Sequence, residues 1–235
     1  MLEYDELVAR LIDIEEIGYV KTHRSGDTGI GKTLEDLLGI TENNVQGPDT
    51  RDAELKSARK NSTSMTTLLT HAPLPRRTGN SNLLARFGYT PTGRTGTVLH
   101  TTLSGTRFNT LRGRIGFRVN VTDQQVNIMS EAGETLAYWD RNTLRESFER
   151  KLPRLIYVLA ENRGSRANEE FWFNEAWALS GFGFDNFIDL IRHDAVKTDI
   201  RIGRNSDGST HDHGTGFRVF KKNFGLCFEN RTRII

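Results

Sequence analysis

Residues 155–161 read Leu-Ile-Tyr-Val-Leu-Ala-Glu, an almost wholly apolar run. A short continuous run of this kind predicts a strand buried on both faces, in the middle of a sheet. Around it, two periodicities alternate. Leu7, Val8, Leu11, Ile12 and Ile14 recur at helical spacing over residues 2–17, with Gly18 as a stop. Residues 141–151 read as a second helix ahead of Pro153, and apolar residues in 184–191 return at helical spacing. Residues 98–103, 115–121, 125–130 and 135–139 alternate as strands, with turns at Asn109, Asp123 and Gly133, and predict an antiparallel section. Residues 198–204 read as a further strand. The chain is of mixed α/β (α+β) class, and its aromatic stretch Phe171, Trp172, Phe173 and Trp177 is expected in the core.

The chain has 235 residues, enough for one large domain or two closely packed lobes. No apolar run approaches 18 residues and the N-terminus is acidic, so neither a membrane helix nor a signal peptide is expected, and the location expected is the cytoplasm. The single cysteine, Cys227, excludes an intrachain disulfide and a cysteine-rich zinc site, and is read as a buried thiol. Net charge is only +2, but residues 57–120 hold ten Lys or Arg and no acid, so the remainder carries −8. Segregation of this kind is the electrostatic footprint of a face that meets a polyanion.

Chemistry concentrates in Pro48-Asp49-Thr50-Arg51-Asp52-Ala53-Glu54-Leu55-Lys56. On an extended strand Glu54 and Lys56 share a face while Leu55 points the other way. Asp49, across a turn begun by Gly47-Pro48, can return to meet them. Two carboxylates and a main-chain carbonyl make a hard oxygen site suited to Mg²⁺. A lysine beside such an ion can orient an attacking water and offset charge on a phosphate. Taken alone, the pattern is also that of a solvated turn with an exposed Glu/Lys pair. Residues 66–70 are expected to form a hairpin with the Glu54 strand, and residues 83–89 a short helix.

Two further motifs invite other readings. Residues 26–33, Gly-Asp-Thr-Gly-Ile-Gly-Lys-Thr, match the phosphate-loop pattern G-x-x-x-x-G-K-[ST], which keeps a P-loop NTPase open. A helix follows, but the residues before the loop are polar and charged. Glu35 on that helix is either a first-turn acid favoured by the helix dipole or a third carboxylate for the Glu54 site. Near the C-terminus, His211-Asp212-His213 is a poor zinc site without further ligands. In a hairpin, Arg201, His211, His213 and Arg218 line one edge, where Arg and His suit the acceptors of guanine.

In order, the blocks Gly26…Leu38, Pro48…Lys56, Asp199-Ile200-Arg201-Ile202-Gly203, Thr210-His211-Asp212-His213-Gly214-Thr215 and Gly216-Phe217…Lys221-Lys222-Asn223-Phe224 resemble the MvaI/BcnI-type restriction endonucleases. These belong with the mismatch-repair nicking enzyme MutH in the PD-(D/E)XK nuclease superfamily. The resemblance runs nearly end to end. It implies a central mixed sheet flanked by helices, and two lobes around a DNA cleft. Residues 1–95 would be mainly the catalytic lobe and 96–235 mainly the DNA-recognition lobe, sharing strand 155–161. It implies catalysis by Glu35, Asp49, Glu54 and Lys56, with Mg²⁺ on Asp49, Glu54 and the Leu55 carbonyl, and Mn²⁺ or Ca²⁺ as substitutes for binding. Bases would be read by Arg201, His211, His213 and Arg218. The charge pattern adds phosphate contacts from Arg59, Lys60, Arg76, Arg77, Arg107, Lys221 and Lys222. The implied activity is double-strand cleavage at a CCNGG-type site by a monomer that nicks the strands in turn. The His-Asp-His-Gly-Thr block favours CC(A/T)GG. Double-stranded DNA is the implied partner, with no obligate protein partner, and a cognate methyltransferase is expected in the same system. The competing enzyme reading is a MutH-like nickase acting with repair partners.

Overall fold

A computed structural model describes residues 2–40, 53–76, 78–93, 95–152 and 154–235. The elements from the N-terminus are α1 (Tyr4–Ile17), β1 (Val20–Lys21), α2 (Gly29–Leu37), β2 (Glu54–Arg59), β3 (Thr66–Thr70), α3 (Thr78–Phe87), β4 (Val98–Leu103) and the short pair β5 (Thr110–Leu111) and β6 (Arg114–Ile115). Then come β7 (Phe117–Val121), β8 (Gln125–Ser130), β9 (Thr135–Asp140), α4 (Arg141–Lys151), β10 (Arg154–Arg163) and β11 (Glu170–Ser180). The last are α5 (Phe184–Arg192), β12 (Val196–Arg204), β13 (Thr210–Asp212), β14 (Gly216–Val219), α6 (Phe224–Cys227) and β15 (Asn230–Arg233). Contacts gather these into two units, residues 1–66, 150–182 and 228–235 in one and 67–149 and 183–227 in the other. The chain thus changes unit repeatedly along its length. The reason lies in strand pairing: β10 and β11, far along the chain, complete the sheet that β2 begins.

In the first unit β10 is the central strand, as its apolar run predicts. It pairs in parallel with β2 (Leu155 opposite Glu54, Tyr157 opposite Lys56) and antiparallel with β11, whose other edge takes β1 and β15. The sheet is therefore mixed. Parallel neighbours need a long crossover, and here the segment between β2 and β10 contains much of the second unit. Leu7, Leu11 and Ile14 of α1 and Ile30 and Leu34 of α2 bury against Leu55, Ile156, Val158, Ala160, Phe171 and Phe173. Gly18 stops α1 at φ 77°, a left-handed conformation that glycine adopts without a Cβ penalty.

The second unit is built on β12. β4 runs along one edge (Arg201 opposite His100), and the other edge takes β14 and then β13. β3 joins this sheet beside β14 and does not form the expected hairpin with β2. Gly216 permits that approach: a Cβ there would lie 2.2 Å from the Leu69 carbonyl. β4 likewise leaves the antiparallel section, which consists of β7, β8 and β9 alone. Phe217 of β14 meets Trp139 at 5.2 Å and Phe187 of α5 at 5.2 Å, and Phe148 of α4 completes the aromatic core. Of the expected core aromatics in β11, Phe171 and Phe173 are fully buried, while Trp172 and Trp177 are half-exposed and donate their indole N–H to the Glu15 carbonyl and the Glu175 carboxylate. Cys227 is buried, and burial pushes its thiol up to about 12. Among the described residues no helix is long and apolar enough to cross a membrane.

Candidate active site

Strand alternation sets the first cluster. Leu55 faces the core with α2, and Glu54 and Lys56 take the opposite face of β2. Glu54 is 2% exposed although it carries a carboxylate. Its Oε1 accepts a hydrogen bond from Lys56 Nζ at 2.5 Å and has Lys151 Nζ at 3.7 Å. Its Oε2 is buried and has no hydrogen-bond partner among the described residues. Burying a polar oxygen unpaired costs about 1–3 kcal/mol or more when it is charged, so native proteins rarely keep one without a use. A buried carboxylate oxygen without a partner is a hard donor of the kind a divalent cation takes.

Glu35 lines a cavity beside β2. α2 is anchored through Ile30 and Leu34, which turns Glu35 toward a cavity of about 330 Å³ lined also by Gly31, Leu55, Lys56 and Ser57. A Cβ on Gly31 would lie 4.0 Å from Glu35 Oε1 and 3.9 Å from Ser57 Oγ, which puts the Glu35 carboxylate near β2. The cavity wall that Glu35 shares holds Lys56 but not Glu54. Asp49 and the rest of residues 41–52 lie outside the described residues. Among the described residues, no three His, Cys, Asp or Glu side chains gather into a metal cluster.

The phosphate-loop match folds as something else. α2 begins at Gly29, so Gly31, Lys32 and Thr33 lie inside its first turns, and only the two-residue β1 precedes. Lys32 pairs with Asp36 at 2.7 Å, and the buried Thr33 hydroxyl accepts from the His23 amide and donates to the Gly29 carbonyl. A phosphate loop needs a buried strand running into it and amides turned to the anion. Neither is present here.

The second cluster surrounds Asp199 on β12, which is fully buried. Its Oδ2 lies 2.6 Å from Arg201 Nε and 2.8 Å from Arg218 Nε, and its Oδ1 accepts from the Thr102 hydroxyl at 2.8 Å. The Arg201 contact is a directed hydrogen bond. The Arg218 contact is an ion pair off that direction, since its Nε has no hydrogen-bond partner. Burial lowers the Arg218 pKa from its ordinary value; Asp199 opposes that fall and neighbouring Arg201 adds to it. Arg201 also holds the loop after β13: its amide donates to Thr215 Oγ1 and its carbonyl accepts from the His213 amide. His211 and His213 are exposed with ring centroids 4.6 Å apart, and His100 stands 6.1 Å from His213. Gly203 makes room for this arrangement, because a Cβ there would lie 2.6 Å from His213 Nε2. Asp212 is not part of a metal pair. Its carboxylate accepts from the Gly214 and Thr215 amides and from Asn80. The four predicted residues are thus brought together. Asp199, Thr102 and His100 were not assigned roles from sequence. Asp199 opens the Asp199–Gly203 block of the family resemblance, and the other two become legible only through the pairing of β4 with β12.

The residues expected to grip phosphate divide into two kinds. Arg76, Arg107, Lys221 and Lys222 are exposed, and Arg77 lies outside the described residues. Arg59 is held by Glu169 in a two-pronged pair, Nε and Nη2 each 2.6 Å from a carboxylate oxygen, so its position is that of a structural clamp. Lys60 lies 3.3 Å from Glu175 and 3.9 Å from Glu161. The Arg59 hydrogen bonds hold Glu169 below its ordinary carboxylate value. A depressed folded pKa stabilises above the unfolded value, and the stabilisation is lost as pH falls through the folded one. Glu169→Gln is therefore expected to be about 2 kcal/mol less stable than wild type at neutral pH. That gap should narrow as pH falls below about 4, a trend that thermal melts across pH would reveal.

Known proteins resemble this chain in sequence and in fold. The family whose sequence pattern it matches, over residues 8–228, is the MvaI/BcnI restriction endonuclease family. Among solved structures it is similar to restriction endonuclease MvaI in a cognate DNA substrate complex, with 28% identity, a TM-score of 0.87 and full coverage of both chains. It is also similar to restriction endonuclease MvaI in the absence of DNA, with 27% identity, a TM-score of 0.58 and coverage of 100% of this chain and 99% of that one. No curated protein matches it.

Proposed function

The chain belongs to the MvaI/BcnI restriction endonuclease family, and on that premise we propose that it cleaves both strands of DNA at a CCNGG-type site, CC(A/T)GG, using Mg²⁺. The observation that supports this reading is Glu54: a buried carboxylate with one oxygen on Lys56 and the other without a hydrogen-bond partner among the described residues.

Glu54, the Leu55 carbonyl and Asp49 would hold the ion. When bound, it would supply positive charge beside the scissile phosphate and make water a better nucleophile. The remaining work falls to side chains. Lys56, already fixed by its hydrogen bond to Glu54, orients the attacking water and offsets charge on the phosphate. Glu35 serves as the accessory acid at the cavity wall. Water attacks the phosphorus in line, the P–O3′ bond breaks, and the products carry 5′-phosphate and 3′-hydroxyl ends.

Arg201 and Arg218 suit guanine, each offering a fork of donors for O6 and N7, while His211 and His213 extend the same row. Arg76, Arg77, Arg107, Lys221 and Lys222 supply phosphate contacts, so binding should weaken steeply with salt. The protein acts as a monomer with one site, nicking one strand and then re-orienting for the other, alongside a methyltransferase that protects the same sequence.

A supercoiled plasmid incubated with purified protein and either Mg²⁺ or EDTA tests this. Linear DNA appearing by way of a nicked circle, only with Mg²⁺, is the expected result. Accumulation of nicked circle alone would favour the MutH-like, partner-dependent nickase. No cleavage under any divalent ion would overturn the enzymatic reading.

A further inference from the structure

Lys151 has no place in the mechanism above, yet its Nζ lies 3.7 Å from Glu54 Oε1, the oxygen that also holds Lys56. It is the last residue of α4, where the helix dipole favours a cation. That preference accounts for a basic residue at the position. It does not account for the reach toward a side chain that is 3% exposed, on a different element. Among the described residues Glu54 is its only ion-pair partner. Among the described residues, one carboxylate oxygen thus faces two ammonium groups while its twin faces none.

Resting on the assignment of Glu54 to the metal, we infer that Lys151 is the counter-ion of the metal-free site and restrains metal loading until DNA arrives. Two ammonium groups crowd one oxygen of Glu54, and a divalent cation arriving at that carboxylate must bind against both charges. Lys56 is fixed to Glu54 by a hydrogen bond, whereas Lys151 is held only by charge and is 31% exposed. Lys151 is therefore the one free to leave. A nearby DNA phosphate offers it a second anion, and its departure lowers the electrostatic barrier to the ion. Metal and DNA then favour each other's binding, as linkage requires of any shared displaced group.

Mn²⁺ binding to the full-length protein, followed by the loss of its free-ion paramagnetic resonance signal, reads this without reference to cleavage. Lys151→Met keeps the aliphatic stem and removes the charge, and it should bind Mn²⁺ about three- to tenfold more tightly than wild type. Lys151→Arg should bind as wild type does, and Glu54→Gln more weakly. Added duplex should tighten Mn²⁺ binding of wild type more than that of Lys151→Met. A merely structural lysine would leave affinity unchanged or weaken it. If Lys151→Met binds no tighter than wild type while Glu54→Gln binds more weakly, the Lys151 inference is overturned and the active site stands. If Glu54→Gln binds as wild type does, the active-site assignment falls, and the Lys151 inference with it.

Discussion

Glu54→Ala and Lys56→Ala are each expected to lower cleavage by about 10³-fold or more, and to leave DNA binding within a few-fold of wild type. The size of the effect follows from the burial of the pair. Glu54 opens β2 and is buried with its Oε1 on Lys56, so solvent cannot stand in for its carboxylate. The two substitutions should not add, because each disables the same unit. Removing Glu54 also removes a negative charge facing the substrate, so the variant's affinity for duplex should rise if it changes at all. Single-turnover cleavage and duplex binding in Ca²⁺, measured on the same preparations, separate chemistry from binding. Wild-type rates from either variant would sink the assignment.

Asp199→Ala is expected to cost both stability and sequence discrimination. The carboxylate has no solvent exposure and lies against two guanidinium groups and the Thr102 hydroxyl. Without it the two cations are left facing each other, half-buried. Losing one partner of a buried ionic network typically costs about 3–5 kcal/mol. For a chain of this size that is a fall in Tm of roughly 10 °C. Asp199→Asn keeps an acceptor of the same shape and separates the two effects. Its fold should survive, while the preference for the target over a one-base variant drops by about 10- to 100-fold, because Arg201 and Arg218 lose the anchor that aims them. If Asp199→Asn cleaves with full discrimination, the pair is not aimed by this carboxylate.

Much of this molecule was legible from sequence because its signals are local. The central strand announces itself by six apolar residues, and α1 by its spacing and Gly18. Glu54 and Lys56 share a face by strand geometry alone. What escaped was set by partners distant in the chain. Residues 66–70 form a strand as expected, but nothing local says that β3 sits beside β14, where Gly216 lets it approach. The role of Asp199 depends on Thr102 reaching it from β4. Arg59 belonged to an acid-free stretch of sequence, yet its partner Glu169 lies 110 residues away. The Gly-Ile-Gly-Lys-Thr run misled for a different reason: a pattern of residue types does not specify whether the backbone forms a loop or the first turn of a helix.

The most direct test of the central claim is to digest genome-scale unmethylated DNA with wild type and with Lys56→Ala, in Mg²⁺, and to sequence every end. The account predicts wild-type ends that align on one five-base-pair CCNGG-type sequence with 5′-phosphates, A·T at the centre, and no ends above background from the variant. Ends that share no sequence, or the same ends from Lys56→Ala, would contradict it.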